Sequence, residues 1–416
     1  MNRYPQPVLA ALVLGLVSTG ALATDLFRIE AEAAKSLPTQ ERAWTVAVDP
    51  KLDLAGSGHL MLNLPGHAPI RAERLDHRAH DGGHTWHGRA GGKPVTVTMH
   101  GGRLHGDFHV GLDHYTLSSE RGRTMLSLAN RFEAPRDELT PAPKATAKNT
   151  SMPAPGAKTA AVDIRILVAY TDAVLAASGG ATDVASAAQF MIGQLNTIYS
   201  GSVASEIRFS LAGLHRVDYA DGVDSEIVLQ QLAGDPGVGA ARNARGADIV
   251  VLLVEHTDFS GRAYMPNSVG VENAAYAFAV VTRSYGLSYY TFAHEVGHVM
   301  GLDHGGSGPG AGAYAWGQGH IGYVDSAAGY PEGFVTVMGN IGLCGGSPPC
   351  HFVPYFSNPE LTDPAPPVRG RALGASNVAD SARALRDVAS TVEMYRGAWV
   401  DDELLYANFE DSDPAR

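Results

Sequence analysis

The sequence predicts an α/β domain over residues 161–400, built on a twisted mixed sheet with an irregular C-terminal part closed by a terminal helix, and preceded by a small β-rich domain over 24–132. Three observations carry this. Beyond residue 160, apolar strand-like runs such as Asp163–Tyr170 and Ala247–Val254 alternate with stretches of helical spacing. Between Trp44 and Leu117, short runs such as Pro94–Met99 and Leu104–Val110 alternate apolar and polar residues and are bounded by Gly-Gly pairs. Between these parts, residues 133–160 hold five prolines and few bulky apolar side chains, a composition that cannot bury enough surface to fold.

The ends follow from composition. Residues 1–23 combine Arg3, an apolar run from Val8 to Ala23 and the small-x-small triplet Ala21-Leu22-Ala23, which reads as a secretory signal peptide. Its 16-residue apolar run is shorter than the ~20 residues a membrane helix needs, so an extracellular or periplasmic protein without a membrane span is expected. The stretch 133–160 is expected to be an exposed linker carrying a processing site, and 401–416 an acidic, frayed tail.

Charge is divided unevenly. Residues 1–160 carry 18 Lys+Arg and 15 Asp+Glu, whereas 161–416 carry 13 and 28, giving +3 against −15. Opposite signs would draw the first part onto the second, against the simpler reading that the asymmetry only aids solubility, and a −15 domain whose basic residues are all scattered arginines is a poor nucleic-acid binder, so no nucleic-acid partner is expected.

The elements of the larger domain can be placed in order. Strand 163–170 leads to a helix over 183–199, opened by Thr182 or Asp183 and burying Val184, Ala187, Ala188, Met191, Ile192 and Leu195. Strand 206–217, a helix near 224–233 and the apolar strand 248–254 follow. A helix beginning near Ser288, with its hydroxyl as cap, buries Phe292, Val296 and Val299. The chain then turns glycine-rich, and an amphipathic helix over about 378–395 closes the domain through Leu385, Val388 and Val392.

That Ser288 helix carries the chemistry. In His294-Glu295-Val296-Gly297-His298-Val299-Met300-Gly301-Leu302-Asp303-His304, the first two histidines lie four apart, on one helical face, where both can reach one metal ion. Gly301 can turn the chain back to bring His304 as the third ligand, leaving a fourth position for water. Glu295 is placed to act as general base toward that water. Three His and an adjacent Glu describe an open catalytic zinc site, since closed structural sites supply four protein ligands and favour Cys.

These residues match HExxHxxGxxH at every fixed position, and the chain resembles the metzincin zinc peptidases. The strands 163–170 and 247–254, Gly261-Arg-Ala-Tyr264, Tyr290-Thr-Phe-Ala293 and Tyr355-Phe-Ser-Asn-Pro359 make it most similar to secreted bacterial reprolysin-like (adamalysin-like) peptidases with an N-terminal propeptide, over about residues 161–397. The resemblance implies a zinc endopeptidase made as a precursor, with one catalytic Zn2+, His294, His298 and His304 as ligands, Glu295 as base, and Met338 in the methionine turn beneath the metal. It further implies that Gly261–Tyr264 is an edge strand lining the cleft, with Ala263 and Tyr264 as substrate contacts, and that protein or peptide substrates are the partners. Gly305 follows His304 where many reprolysins have Asp, and Asn340 stands where astacin-like and serralysin-like proteins have a metal-binding Tyr.

Several points stay open in the sequence. Cys344 and Cys350, the two cysteines of the chain, are expected to form a disulfide stapling the loop after the methionine turn. The first 160 residues contain no cysteine, so the propeptide must inhibit without a cysteine switch. Ten of the 17 histidines lie between His59 and His114; one of them, or Asp81 or Asp113, is a candidate plug, against the simpler reading of solvated strand histidines. His320 and His351 read as local hydrogen-bonding residues. The run Asp218–Asp224 is more often a turn than a site and leaves Ca2+ undecided. The rival readings are a zinc hydrolase of non-peptide amides or esters, and a non-catalytic binding module with a relict zinc site.

Overall fold

The structure is a computed structural model that describes residues 24–130, 135–143, 161–203, 207–305, 310–324, 332–344, 350–362, 372–375 and 378–397. The expected signal peptide, most of the Pro-rich stretch with its processing site, and the acidic tail lie outside the described residues.

The N-terminal part is a ten-stranded sheet in which successive strands from His59–Leu62 to Arg123–Ala129 are neighbours, and Gln40–Val48 and Phe27–Ala33 extend one edge. Antiparallel hairpins need turn residues at positive φ, and the Gly-Gly pairs supply them: Gly91 and Gly92 sit at 57° and 84°, Gly101 and Gly102 at 54° and 74°. Alternation then sorts the side chains. Trp86, Val95, Val97, Leu104, Phe108 and Leu117 fill a core on one face.

The opposite face is covered by the larger domain. His87, Thr96, Thr98, His105 and Asp107 pack on the helix Ala181–Val203, with His87 Nδ1 2.6 Å from the Thr197 hydroxyl and Gln194 donating to Asp107 at 2.9 Å. Gly193 permits the close approach, because a Cβ there would stand 2.8 Å from Thr85 Cγ2. Arg103 donates to Asp183 at 2.6 Å, and Arg283 of the larger domain pairs with Glu120 of the smaller. The reading of the histidines as solvated strand residues is therefore corrected. His87, His105, His109 and His114 are buried between the domains, where the covering helix removes the solvent-facing side of the sheet.

The larger domain holds a six-stranded sheet in the order Asp137–Pro141, Gly261–Met265, Phe278–Thr282, Ile249–Val254, Val162–Thr171, Ile207–Val217. The last four are mutually parallel, and Gly261–Met265 runs antiparallel to Phe278–Thr282. Helices on both sides explain the unbroken apolar run of Ile249–Val254, which is buried on both faces. Ala181–Val203, Thr291–Val299 and Ser381–Gly397 share one core; Ser225–Gly234 and Pro236–Ala244 share the other.

Local details depart from the sequence reading. The long helix starts at Ala181, so Asp183 lies inside it as the partner of Arg103 rather than as its cap. Ser288 ends a short helix, Arg283–Ser288, and the helix carrying His294 and His298 begins at Thr291 after Tyr290, whose φ of 64° reverses the chain without a side-chain cap. Asp224 caps the helix Ser225–Gly234, and Asp221 accepts from Thr171 and from the Glu255 amide, so these acids serve backbone and side-chain hydrogen bonds. The largest correction concerns the linker. Asp137–Pro141 is a strand of the larger domain's sheet, held parallel to Gly261–Met265.

The buried histidines generate a pH dependence. Burial pushes His87 and His105 down to about 3 from 6.5, so the folded pKa lies below the unfolded one. Stability is then full above pH 6.5 and is lost as pH falls toward 3, at about 1.4 kcal/mol per histidine per pH unit. Thermal unfolding of the full chain at pH 7.5 and 5.5 should show a marked loss at the lower pH, smaller by about one histidine's share in His105→Leu; an unchanged pH difference in that variant contradicts the assignment.

Candidate metal centre

The centre is assembled by one helix, one turn and one loop. On Thr291–Val299, His294 and His298 project from the same face, and both are buried. Gly301 takes φ 82° and its amide binds His298 O at 2.8 Å, while the Leu302 amide binds Gly297 O at 3.0 Å, so the helix ends in a left-handed turn. The loop beyond is held by Asp303, whose carboxylate accepts from the amides of His304 at 2.7 Å and Ala311 at 2.7 Å. His304 is thereby returned to the other two.

The three Nε2 atoms lie 2.9, 3.1 and 3.0 Å apart. Their tautomers are set from behind: His294 Nδ1 donates to Val337 O at 2.6 Å and His298 Nδ1 donates to Leu302 O at 2.8 Å. The Nε2 atoms of these two rings are therefore the ones turned inward, and ring nitrogens facing each other at such distances need a shared proton or a cation among them. Bonds of about 2.0–2.1 Å in a tetrahedron put ligand atoms roughly 3.3 Å apart, close to the spacing found, so the residues fit zinc. Burial lowers His298 to about 4, keeping it neutral as ligation requires. Against the same burial, the Asp137 carboxylate raises His294 to about 9, holding a proton that a metal would displace.

Met338 lies directly beneath. It is fully buried, and a Cβ at Gly297 would stand 2.5 Å from its sulfur, so the glycine inside the motif lets the turn pack against the helix. The Gly305 amide bonds Met338 O at 2.9 Å, tying the His304 loop to the same turn.

Glu295 is buried with neither carboxylate oxygen hydrogen-bonded, and burial pushes its carboxyl well above the usual range. Its place depends on Gly261, where a Cβ would lie 2.2 Å from Glu295 Oε1. Ala263 and Tyr264 are where the sequence put them, on Gly261–Met265, yet their side chains enter the two cores, and only their backbones face the neighbouring strand through Leu139 and Thr140. Cys344 and Cys350 are bonded, with Cα atoms 5.9 Å apart.

A fourth group joins the histidines. Asp137 Oδ2 is 2.8 Å from His294 Nε2, 3.9 Å from His298 Nε2, and in contact with His304 Nε2. The plug candidates Asp81 and Asp113 are not there; Asp113 pairs with His67 at 3.0 Å within the N-terminal sheet. The one other such cluster among the described residues, Asp107, His109 and His114, has a different character. Its two imidazoles stack 4.2 Å apart at 8°, so their lone pairs run side by side; the metal-site pairs His294–His298 and His298–His304 cross at 79° and 76° and converge. His114 and Gln194 both bond Asp107, closing that cluster as a hydrogen-bond network under Tyr290.

Comparison with known proteins agrees with this geometry: residues 160–315 match the model of Metallo-peptidase family M12. Over these residues the chain is similar to reprolysin-like metallopeptidases. A peptidyl-Asp metalloendopeptidase of Stenotrophomonas maltophilia is 29% identical over 239 residues, covering 56% of this chain and 52% of that protein. Another, of Xanthomonas campestris pv. campestris, is 26% identical over 276 residues, covering 65% and 58%. The chain thus spans little more than half the length of these relatives. Among solved structures, a metalloproteinase-II from Bacteroides fragilis is similar at 11% identity with a TM-score of 0.39, over 62% of this chain and 84% of that one.

At this centre, sequence reasoning missed Asp137, the steric role of Gly261 toward Glu295, and the loop-holding role of Asp303. A lone glycine opening a strand signals close backbone approach, so Gly261 was within reach; nothing local marks Asp137 among the prolines. Gly261→Ala should retain zinc at one equivalent while displacing Glu295 and lowering kcat at least 100-fold on a fluorogenic peptide, once the N-terminal part is removed. Wild-type turnover in that variant would show that Glu295 has room to spare.

Proposed function

We propose that this chain is the exported precursor of a zinc-dependent endopeptidase, with Glu295 as general base and the N-terminal domain as an intramolecular inhibitor. The observation that carries the reading is the convergence of three imidazole Nε2 atoms beside an otherwise unpartnered buried carboxylate.

Zinc, when bound, brings the pKa of a coordinated water toward about 7 and polarises a carbonyl oxygen. The protein's residues do the rest. His294 and His298 keep their Nε2 atoms aimed inward because Val337 O and Leu302 O hold their Nδ1 protons. Glu295, adjacent in sequence to His294 and not among the converging ligand atoms, would in its carboxylate state take the proton of the attacking water and pass it to the leaving amine. The backbone of Gly261–Met265 offers ladder hydrogen bonds to an extended peptide, which holds the scissile bond in register. A neighbouring space enclosed by Tyr289, Thr291, Val337, Ile341 and Phe352, with Pro135 and Asp137 above it, has little room left, about 10 Å³, and is the place for a substrate side chain once 135–137 withdraws.

The name of the relatives makes bonds flanking Asp the first substrates to try. Glu295→Ala should bind one zinc and unfold like the wild type but lose at least 1,000-fold in casein hydrolysis, and His298→Ala should lose the metal as well. Zinc-replete Glu295→Ala that still cleaves casein, or chelator-insensitive cleavage by the wild type, would refute the mechanism.

A further inference from the structure

We propose that Asp137 is the fourth metal ligand of the uncleaved chain and that Asp137–Pro141 occupies the substrate's place in the cleft, so that a carboxylate holds the position water needs. The inference rests on the metal site argued above and adds the group that closes it.

The geometry of the strand is specific. Asp137 lies opposite Gly261 in the ladder, Leu139 opposite Ala263 and Pro141 opposite Met265. Both ends are pinned: the Ser260 amide and hydroxyl each donate to Arg136 O at 2.6 Å, and the Ala142 amide donates to Met265 O at 3.0 Å. Arg262 reaches across the ladder to Thr140 Oγ1 at 3.3 Å and to Glu138 at 3.7 Å. This fixed backbone presents the Asp137 side chain to the three imidazoles.

The carboxylate's surroundings identify what it binds. Asp137 Oδ2 is buried and touches ring nitrogens alone. The carboxylate lies where the three Nε2 atoms converge, so a single cation held among them is matched by all four groups at once. Three imidazoles and one carboxylate make a complete four-ligand set for zinc, with no position left open. The strand also covers the ladder edge of Gly261–Met265 that a peptide would use. Metal and edge are thus blocked by one five-residue element, whose side chain meets the three imidazoles as a carboxylate.

The test uses the full chain carrying Glu295→Ala, which prevents self-cleavage, loaded with Co2+ in place of zinc. Visible absorption of Co2+ responds to ligand number and type, and acetohydroxamate serves as the probe for an open position. Asp137→Ala in this background should change the cobalt spectrum and bind acetohydroxamate at least tenfold more tightly, while Asp137→Glu keeps the parent's weak binding. Asp113→Ala, which alters the N-terminal sheet away from the metal, should match the parent in both readouts. Identical spectra and affinities with and without the Asp137 carboxylate overturn the proposal. The readout does not require peptide hydrolysis: a Co2+ spectrum dependent on Asp137, together with no casein hydrolysis by the processed wild-type chain, would overturn the endopeptidase reading alone, and casein hydrolysis by that wild-type chain with an Asp137-independent spectrum would overturn this one alone.

Discussion

The arrangement around the three histidines turns on a single electrostatic constraint: imidazole ring nitrogens brought within 2.9–3.1 Å of one another need a shared proton or a cation between them. Much of the larger domain is organised to enforce that convergence. Val337 O and Leu302 O fix which nitrogen is protonated, Gly301 turns the chain, Asp303 holds the loop that returns His304, and Met338 supports the helix through the space left by Gly297. Each of these contacts is a short-range steric or hydrogen-bond requirement, and each loses its purpose if the cation is removed from the account.

The same constraint reaches the N-terminal part. Packing this sheet onto the helix Ala181–Val203 buries four histidines and an aspartate, a costly choice compared with an apolar interface, and one offset by hydrogen bonds from Gln194, Thr197 and Tyr290. Tyr290 has two connections, since its hydroxyl bonds Asp107 of the N-terminal sheet while its backbone, at φ 64°, starts the metal-binding helix. Fold, interface and metal centre therefore meet at one residue.

What could be read from the sequence was what is written at helical or strand spacing. The HExxHxxGxxH stretch specifies its own geometry, because i and i+4 share a helical face and a glycine alone takes the turn cheaply; the strands 163–170 and 248–254 declare themselves by continuous apolar residues. Long-range partners were not legible. Asp137 sits in a run of polar residues and prolines whose composition forbids independent folding, and it is ordered only because Gly261–Met265 offers a ladder 124 positions later. The histidines of the N-terminal sheet alternate as solvated residues would, and their burial comes from a helix in another domain. Ser288 failed as a cap for a related reason: the strained Tyr290 begins the helix, and its φ is imposed by tertiary contacts rather than by propensity.

X-ray absorption spectroscopy on the zinc-loaded, uncleaved chain addresses the centre most directly, because it counts the ligand atoms and distinguishes imidazole from other donors. The account predicts one zinc per chain surrounded by three imidazole nitrogens and one oxygen at about 2.0–2.1 Å. A chain that takes up no zinc, or one whose zinc is held by fewer than three imidazoles, would contradict it.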